Sequence, residues 1–263
     1  MRVHHLNCGT LAPPIVGGLV CHVLLCETDD GLVLVDTGFG LADYADPKAR
    51  LGPTRRLLRP VMDESLTALR QVEALGHAAA DVTHIVVTHL DLDHIGGLSD
   101  FPAATVHTTA DEHAAAITSP DFLDKRRYRP VQWAHGPAWQ LHDGPGDEWR
   151  AGITGHEVLP GITLVPMPGH SRGHAAVAVQ TDDRGLLVHA GDAAFDASSY
   201  ANASPSGLPL DKLPGIRLFE QIVGRDRAAI TRNHDTLRRL NLTAGITVFP
   251  AHDRRIFDEL AAE

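Results

Sequence analysis

The sequence has no long apolar run. A membrane-spanning helix needs about 18 or more consecutive apolar residues, and no such stretch occurs. The N-terminal residues Met1 to His5 also lack the apolar centre of a secretory signal peptide. We therefore expect a cytoplasmic protein with no membrane partner.

The sequence also has few cysteines and no excess of positive charge. The three cysteines, Cys8, Cys21 and Cys26, form an odd count without metal-binding spacing, which suits buried thiols in a reducing compartment. The net charge of −10 disfavours a nucleic-acid or anionic-membrane partner. A small neutral or weakly charged substrate remains the expected partner, and a homodimer is a further possibility.

What the chain does contain is enough apolar sequence for a large core and an excess of histidine. Its 263 residues, 43% of them hydrophobic, fit one large domain or two fused halves. Seventeen histidines are several times the usual share, so some of them are expected to have a function.

The densest group of these residues lies between Thr88 and Gly97, in the sequence THLDLDHIGG. Four metal-binding side chains, His89, Asp91, Asp93 and His94, follow directly after the apolar run 85–87, which is typical of a buried strand. Two carboxylates and two imidazoles placed together at the end of a strand are costly to desolvate unless they share a cation. The pattern predicts a metal site rather than a polar surface loop.

Further candidate ligands follow other predicted strands: His170, Asp192 and His252. The hairpin plan of strand, Asp-Asp turn, strand and terminal acid occurs twice, ending once at Asp36 and once at Asp192. This repeat predicts two similar halves, each with an acid near the centre. Asp36 is either a turn cap or a carboxylate that orients a ligand histidine.

The stretch from 89 to 94 resembles the His-x-His-x-Asp-His signature of the metallo-β-lactamase superfamily, with Asp91 where the family usually has its second histidine. His170, Asp192 and His252 follow in the family's order along nearly the whole chain. The resemblance implies an α/β fold, a four-layer αβ/βα sandwich, as a single domain over residues 1–263.

The same resemblance implies two divalent metal ions. His89, Asp91 and His170 would hold one, Asp93, His94 and His252 the other, and Asp192 would bridge them. A hydroxide between the metals would be the nucleophile, and Asp93 would pass the proton to the leaving group. Zinc is the expected metal, and the harder oxygen ligand of Asp91 also favours manganese or iron.

Within the superfamily the chain looks similar to the quorum-quenching N-acyl homoserine lactonases, so we expect a lactone or a related ester to be the substrate. Phe195 stands near the position of a substrate-contacting tyrosine in those enzymes, and Tyr128, Tyr200 or Trp133 are alternative substrate contacts. Three alternatives remain open: a thioester hydrolase of the glyoxalase II type, whose acidic thiol carrier would bind arginines near 232–239; an iron enzyme that uses oxygen, as in the flavodiiron members with a carboxylate at position 91; and a silent small-molecule binder.

Two segments lack a clear periodicity. Residues 39–61 are predicted to form a loop that crosses the mouth of the site. Residues 119–160, which contain all three tryptophans, are predicted to form a lid-like insertion or an aromatic-anchored loop over the core. No cysteine is expected near the ligand cluster.

Overall fold

The computed structural model describes residues 1–14, 16–150 and 152–262. Twelve strands are present within these ranges: β1 Arg2–Leu11, β2 Leu19–Thr28, β3 Gly31–Val35, β4 Val82–Val86, β5 Thr105–Thr109, β6 Ala138–His142, β7 Asp147–Arg150, β8 Ile153–Leu159, β9 Ile162–Pro166, β10 Ala175–Gln180, β11 Leu186–His189 and β12 Ile246–Phe249.

Ten α-helical segments connect or flank these strands: α1 Leu41–Ala45, α2 Pro47–Leu51, α3 Arg55–Leu58, α4 Ala68–Ala74, α5 Leu92–Ile95, α6 Ala110–His113, α7 Asp124–Arg127, α8 Pro214–Val223, α9 Arg227–Asn241 and α10 Arg254–Leu260. In the described part of the chain, no helix has the length and apolar character that a bilayer crossing requires.

The strands form two six-stranded mixed sheets. The first has the order β1-β2-β3-β4-β5-β6, and the second has the order β12-β11-β10-β9-β8-β7. In the first sheet the β2–β3 hairpin is followed by the parallel strand β4, and in the second the β10–β11 hairpin is followed by the parallel strand β12. Both hairpins agree with those predicted from the sequence.

The two sheets pack face to face because their central strands are apolar on both sides. Leu24 and Val35 of the first sheet belong to one cluster with Val177 and Val188 of the second. The alternate residues of β2 and β3, such as Leu25 and Leu34, pack on the opposite face with Val72 of α4 and with Ala115, which follows α6. Sheets covered on both faces in this way form the predicted four-layer α/β sandwich.

The segment 39–61 is not an irregular loop. It contains α1, α2 and α3 with a 3₁₀ turn at Gly52–Thr54. Each helix is only four or five residues long, too short for a hydrophobic period to be visible in the sequence. Its residues Thr54, Leu57 and Leu58 do line the cavity above the ligand cluster.

The segment 119–160 contains more regular structure than expected. Strands β6, β7 and β8 occupy its second part, at the far edges of the two sheets. Among the described residues of this segment, only those of the first part, which includes α7, approach the ligand cluster. A lid role for that first part stays a prediction.

Candidate metal centre

The topology brings the ends of five strands to one edge of the sandwich. Strands β3 and β4 are parallel, so the residues after Val35 and Val86 lie side by side. In the second sheet β9 and β11 each pair antiparallel with β10, and β12 is parallel to β11. The segments that follow β9, β11 and β12 therefore meet at the same edge, and they carry the three predicted ligands of the second half.

All seven predicted ligand residues lie together at this edge. Their side chains are almost completely buried, apart from Asp91, whose side chain is 18% exposed. Their donor atoms form two overlapping groups. The predicted cluster is therefore a real juxtaposition of side chains from both sheets, which contains His89, Asp91, Asp93, His94, His170, Asp192 and His252.

The first group, called here the first position, consists of His89, Asp91 and His170 with one oxygen of Asp192. The Oδ2 atom of Asp91 lies 3.3 Å from His89 Nε2 and 3.2 Å from His170 Nε2. The Oδ2 atom of Asp192 lies 3.1 Å from His170 Nε2 and 3.8 Å from His89 Nε2.

The second position uses the other oxygen of Asp192. Its Oδ1 atom lies 3.1 Å from His252 Nε2 and 3.4 Å from His94 Nε2, and Asp93 Oδ2 lies 3.8 Å from His252 Nε2. The two carboxylate oxygens of Asp192 thus face different groups of imidazoles, the orientation that a bridging ligand requires.

The second position fits a cation. The buried atoms His94 Nε2 and Asp192 Oδ1 have no hydrogen-bond partner among the described residues, although they face each other. Two nitrogen or oxygen ligands of one tetrahedral zinc ion lie about 3.3 Å apart, because each is about 2.0 to 2.1 Å from the metal. The observed separations are of this size, so these donors are arranged as ligands rather than as hydrogen-bond partners.

Three of the four histidines are oriented through their other ring nitrogen. His94 Nδ1 pairs with Asp36 Oδ2 at 2.8 Å, His252 Nδ1 with the backbone oxygen of Val20 at 2.8 Å, and His89 Nδ1 with Thr88 Oγ1 at 3.0 Å. A ring whose Nδ1 donates a hydrogen bond presents the lone pair of Nε2 to the cluster.

Asp36 orients a ligand histidine, one of the two roles that the sequence left open. It also accepts hydrogen bonds from the backbone and hydroxyl of Thr88, at 2.7 and 2.8 Å. Its backbone is left-handed, with φ of 58°. The strained turn after β3 and the ligand loop after β4 are therefore held together by one carboxylate.

Electrostatic interactions favour the charged form of two carboxylates of the cluster, Asp192 and Asp91. Burial alone would raise the pKa of Asp192, but the imidazoles of His252 and His94 outweigh burial and hold that pKa well below its usual range. Burial also opposes the ionised form of Asp91, and the Arg127 guanidinium together with His89 keeps the pKa of Asp91 well below normal.

Several residues in and around the cluster were not found from the sequence. Arg127 forms an ion pair with Asp91, and His174 Nε2 accepts a hydrogen bond from the backbone of Asp192 at 2.9 Å. The prediction that no cysteine lies near the cluster is wrong. Cys21 Sγ lies within 4.8 Å of the donor atoms of Asp93 and His252, because β2 runs beside the loop that follows β12.

A cavity of about 410 Å³ opens above the cluster. Its floor contains Asp91, Asp93, His170, Asp192 and His252, and most of its wall is apolar, with Leu11, Leu19, Leu58, Phe195, Phe219 and Val223. Phe195 lies between two ligand rings, with its ring centroid 5.4 Å from that of His170 and 5.1 Å from that of His252.

The other proposed substrate contacts do not line this cavity. The hydroxyl of the buried Tyr128 donates a hydrogen bond to Glu112 Oε1 at 2.8 Å, and the hydroxyl of Tyr200 donates to the backbone oxygen of Val248. Trp133 packs against the outer core of the first sheet. Among the predicted contacts, only Phe195 is positioned to touch a molecule in the cavity.

A family model described as the metallo-beta-lactamase superfamily matches residues 16–231. A probable metallo-hydrolase of Mycobacterium tuberculosis is 52% identical over 198 residues, which are 74% of this chain and 63% of the relative. The chain thus spans less than two thirds of that relative. An N-acyl homoserine lactonase of Rhizobium johnstonii is 28% identical over 209 residues, 78% of each protein.

Solved structures show the same fold. The AiiA protein of B. thuringiensis, as a mutant with N-decanoyl-L-homoserine bound at its active site, superposes with a TM-score of 0.74 at 19% identity. The superposition covers 98% of this chain and 95% of the other. A second structure, an N-acyl homoserine lactone hydrolase with the product N-hexanoyl-L-homoserine at its metal centre, also has a TM-score of 0.74.

Proposed function

Because the chain belongs to the metallo-beta-lactamase superfamily, we propose that it is a metal-dependent hydrolase that opens a lactone or a related ester. The observation that carries the proposal is the position of the ligand cluster on the floor of a largely apolar cavity. An apolar wall suits an acyl chain, and the buried donors suit a metal-assisted attack at the adjoining carbonyl.

In this proposal His94, Asp192 and His252 hold a divalent cation, with Asp93 beside them. When bound, such a cation lowers the pKa of a coordinated water to about 7 and polarises a carbonyl oxygen. The mixed nitrogen and oxygen donors suit zinc, manganese or iron. The resemblance noted in the sequence implied two cations per chain, with zinc as the first candidate.

The protein groups have separate tasks. Asp93 is 8% exposed at the cavity floor, where its carboxylate can accept a proton from the attacking water and pass it to the leaving alkoxide. Phe195 has no hydroxyl, so it orients a substrate by packing alone. The apolar wall excludes water from the acyl chain and favours longer acyl groups over short ones.

The test is a panel of lactones, esters and thioesters with protein loaded with zinc, manganese or iron. We expect lactone opening, and we expect Asp192→Ala to lower kcat/KM by more than about 100-fold, since even partners of metal ligands commonly contribute 10- to 100-fold. Asp183→Ala, an exposed carboxylate in the β10–β11 turn, is the control. Equal activity of Asp192→Ala and wild type, or no hydrolysis of any member, would contradict the proposal.

A thioester of an acidic thiol is the second candidate, and one surface feature favours it. A groove of about 1040 Å³ beside the cavity is lined by Arg172, Arg225, Arg227 and Arg232, and it shares Ser171, Gly224 and Arg225 with the cavity. Within the predicted range 232–239, Arg232 lines this groove, whereas Arg238 and Arg239 contact side chains of their own helix. Preference for a thioester over the matching lactone, lost in Arg232→Gln, would select this candidate.

The remaining alternatives have distinct outcomes in the same assays. Oxygen uptake by the iron-loaded protein would favour the redox class, and tight binding without turnover would favour the silent binder. The predicted partners, a small-molecule substrate with no nucleic acid and no membrane, stay predictions, as do the cytoplasmic location and the homodimer.

A further inference from the structure

Arg127 is built into the floor of the cavity. Its Nε donates to Asp91 Oδ1 at 2.7 Å and its Nη2 to Asp91 Oδ2 at 2.5 Å, a bidentate ion pair. Its Nη1 donates to the backbone oxygens of His170 at 2.8 Å and Val223 at 3.0 Å. The second proton of Nη2 points to His170 Nε2.

These contacts use the whole guanidinium. An arginine has five N–H donors, and the five acceptors around Arg127 match them one for one. Its side chain is only 18% exposed. Moving it into solvent would break the ion pair and leave the backbone acceptors without this donor, so the arrangement differs from a surface arginine that happens to rest on a carboxylate.

The arginine competes directly with a metal at the first position. A neutral imidazole nitrogen that accepts has one lone pair in the plane of the ring. When His170 Nε2 accepts a hydrogen bond from Arg127 Nη2, that lone pair is engaged and cannot also bind a cation. The first position then has His89 and the already paired Asp91, together with Asp192, which the second position also uses.

The negative charge of Asp91 at the first position is already balanced by Arg127. Asp91 adds a negative charge to the cluster, and the guanidinium, which stays protonated at any physiological pH, adds a positive charge beside it. The pair is neutral overall, as an uncharged histidine at position 91 would be. Unlike that histidine, each oxygen of Asp91 already accepts a hydrogen bond from the guanidinium, which weakens it as a metal ligand.

We propose that the Arg127 guanidinium serves as the fixed cation of the first position and that the chain binds one divalent ion, held at the second position by His94, Asp192 and His252. The inference rests on the proposed metal binding by the cluster and is independent of whether the substrate is a lactone.

Metal stoichiometry tests the proposal. Metal-free protein is incubated with excess Zn²⁺, freed of unbound ion by gel filtration, and measured for zinc and protein. We expect one ion per wild-type chain and two per chain of Arg127→Met, because removal of the guanidinium frees His170 Nε2 and leaves Asp91 without its partner. Arg126→Met removes the neighbouring guanidinium, which lies over the Phe122 ring, and should retain one ion.

Two ions in wild type, or one in Arg127→Met, would overturn the inference while leaving the proposed hydrolase intact. Absence of bound metal in every variant would instead overturn the proposed function itself. The same samples loaded with Mn²⁺ give an independent reading by electron paramagnetic resonance: an isolated-ion spectrum for wild type and a spin-coupled pair for Arg127→Met.

Ligand variants provide a test that does not depend on Arg127→Met folding. His170→Ala removes a first-position residue and should retain the single ion, whereas His252→Ala should lose it. Loss of the ion in His170→Ala, with circular dichroism like that of wild type, would show that the first position is the occupied one and would refute the assignment.

Discussion

Asp36 offers the sharpest test at the scale of a single residue. Its carboxylate positions His94 through the 2.8 Å contact to Nδ1, so we expect Asp36→Asn to weaken metal affinity by about 10- to 100-fold. Asparagine tolerates the left-handed backbone found at this position, which separates the effect on His94 from backbone strain. A competition titration against a chelator measures the affinity.

The matched control is Asp29→Asn, an exposed acid in the β2–β3 turn. This substitution should leave the metal affinity unchanged. Unaltered affinity in Asp36→Asn, or an equal fall in both variants, would show that Asp36 serves only as a turn cap.

The residues of the cluster were predictable from the sequence because each follows an apolar strand, and parallel strands end at one edge. Arg127 and Cys21 were not predictable in this way. Arg127 belongs to a run of four charged residues that resembles a solvated helix, and Cys21 lies within a mostly apolar, buried strand. Arg127 and Cys21 lie beside the ligand cluster only because α7 and β2 pack against it in the folded chain.

At the scale of elements, Glu112 joins three segments that surround the site. Its Oε1 accepts from the Leu90 backbone and the Tyr128 hydroxyl, both at 2.8 Å. Its Oε2 accepts from the Ser171 hydroxyl at 2.6 Å and the Gly173 backbone at 3.1 Å. The ligand loop, the end of α7 and the turn after β9 are thus tied to the first turn of α6.

We expect Glu112→Gln to lower the free energy of unfolding by about 2 to 4 kcal/mol, because the amide nitrogen cannot accept and leaves buried donors unpaired. Urea unfolding followed by circular dichroism measures the change. Asp111→Asn, the exposed acid one residue earlier, should change it by less than about 0.5 kcal/mol. A result for Glu112→Gln as small as the control's would contradict this role.

Elements with a strong period were predicted well. The β2–β3 and β10–β11 hairpins agree with the sequence analysis. Strands β6 and β7 were missed because they are short edge strands with mostly exposed or half-buried residues, so they lack the apolar alternation that marks a strand.

At the scale of the whole molecule, buried neutral histidines make stability depend on pH. Burial, followed by the positive charge of Arg184, lowers the pKa of His5 from 6.5 to about 4. His22, its hydrogen-bond partner, is 1% exposed, and burial also holds its pKa well below normal. Both rings stay neutral in the folded protein at pH values where the unfolded chain protonates them.

The direction of this pH dependence follows from the coupling between proton binding and folding. Between about pH 6.5 and pH 4 the unfolded state binds more protons than the folded state, so stability is complete above pH 6.5 and falls as the pH falls. Each such histidine contributes a slope of about 1.4 kcal/mol per pH unit within this window. Urea unfolding at pH 7.5 and pH 5.0 should show the loss, and His5→Gln should reduce it.

The control is His77→Gln, which replaces a half-buried histidine outside the pair of His5 and His22. This substitution should leave the pH dependence of the free energy of unfolding as in wild type. Equal pH dependence of stability in His5→Gln and wild type would contradict the assignment.

The excess of histidine was evident from the composition. Which histidines belong to the metal cluster and which pack in the core as neutral rings was not evident, because only the contacts of the folded chain distinguish the two.

Asp192, His170 and His252 follow strands of the second sheet, and the remaining donors follow a strand of the first sheet. An ion held by His94 and His252 would therefore link the first sheet to the second. Metal binding and the alignment of the two sheets therefore stabilise each other. At a free-ion concentration of 100 times the dissociation constant, binding would stabilise the folded arrangement of the sheets by about 2.7 kcal/mol. Conversely, a distant substitution that shifts one sheet against the other would alter metal affinity without touching any donor.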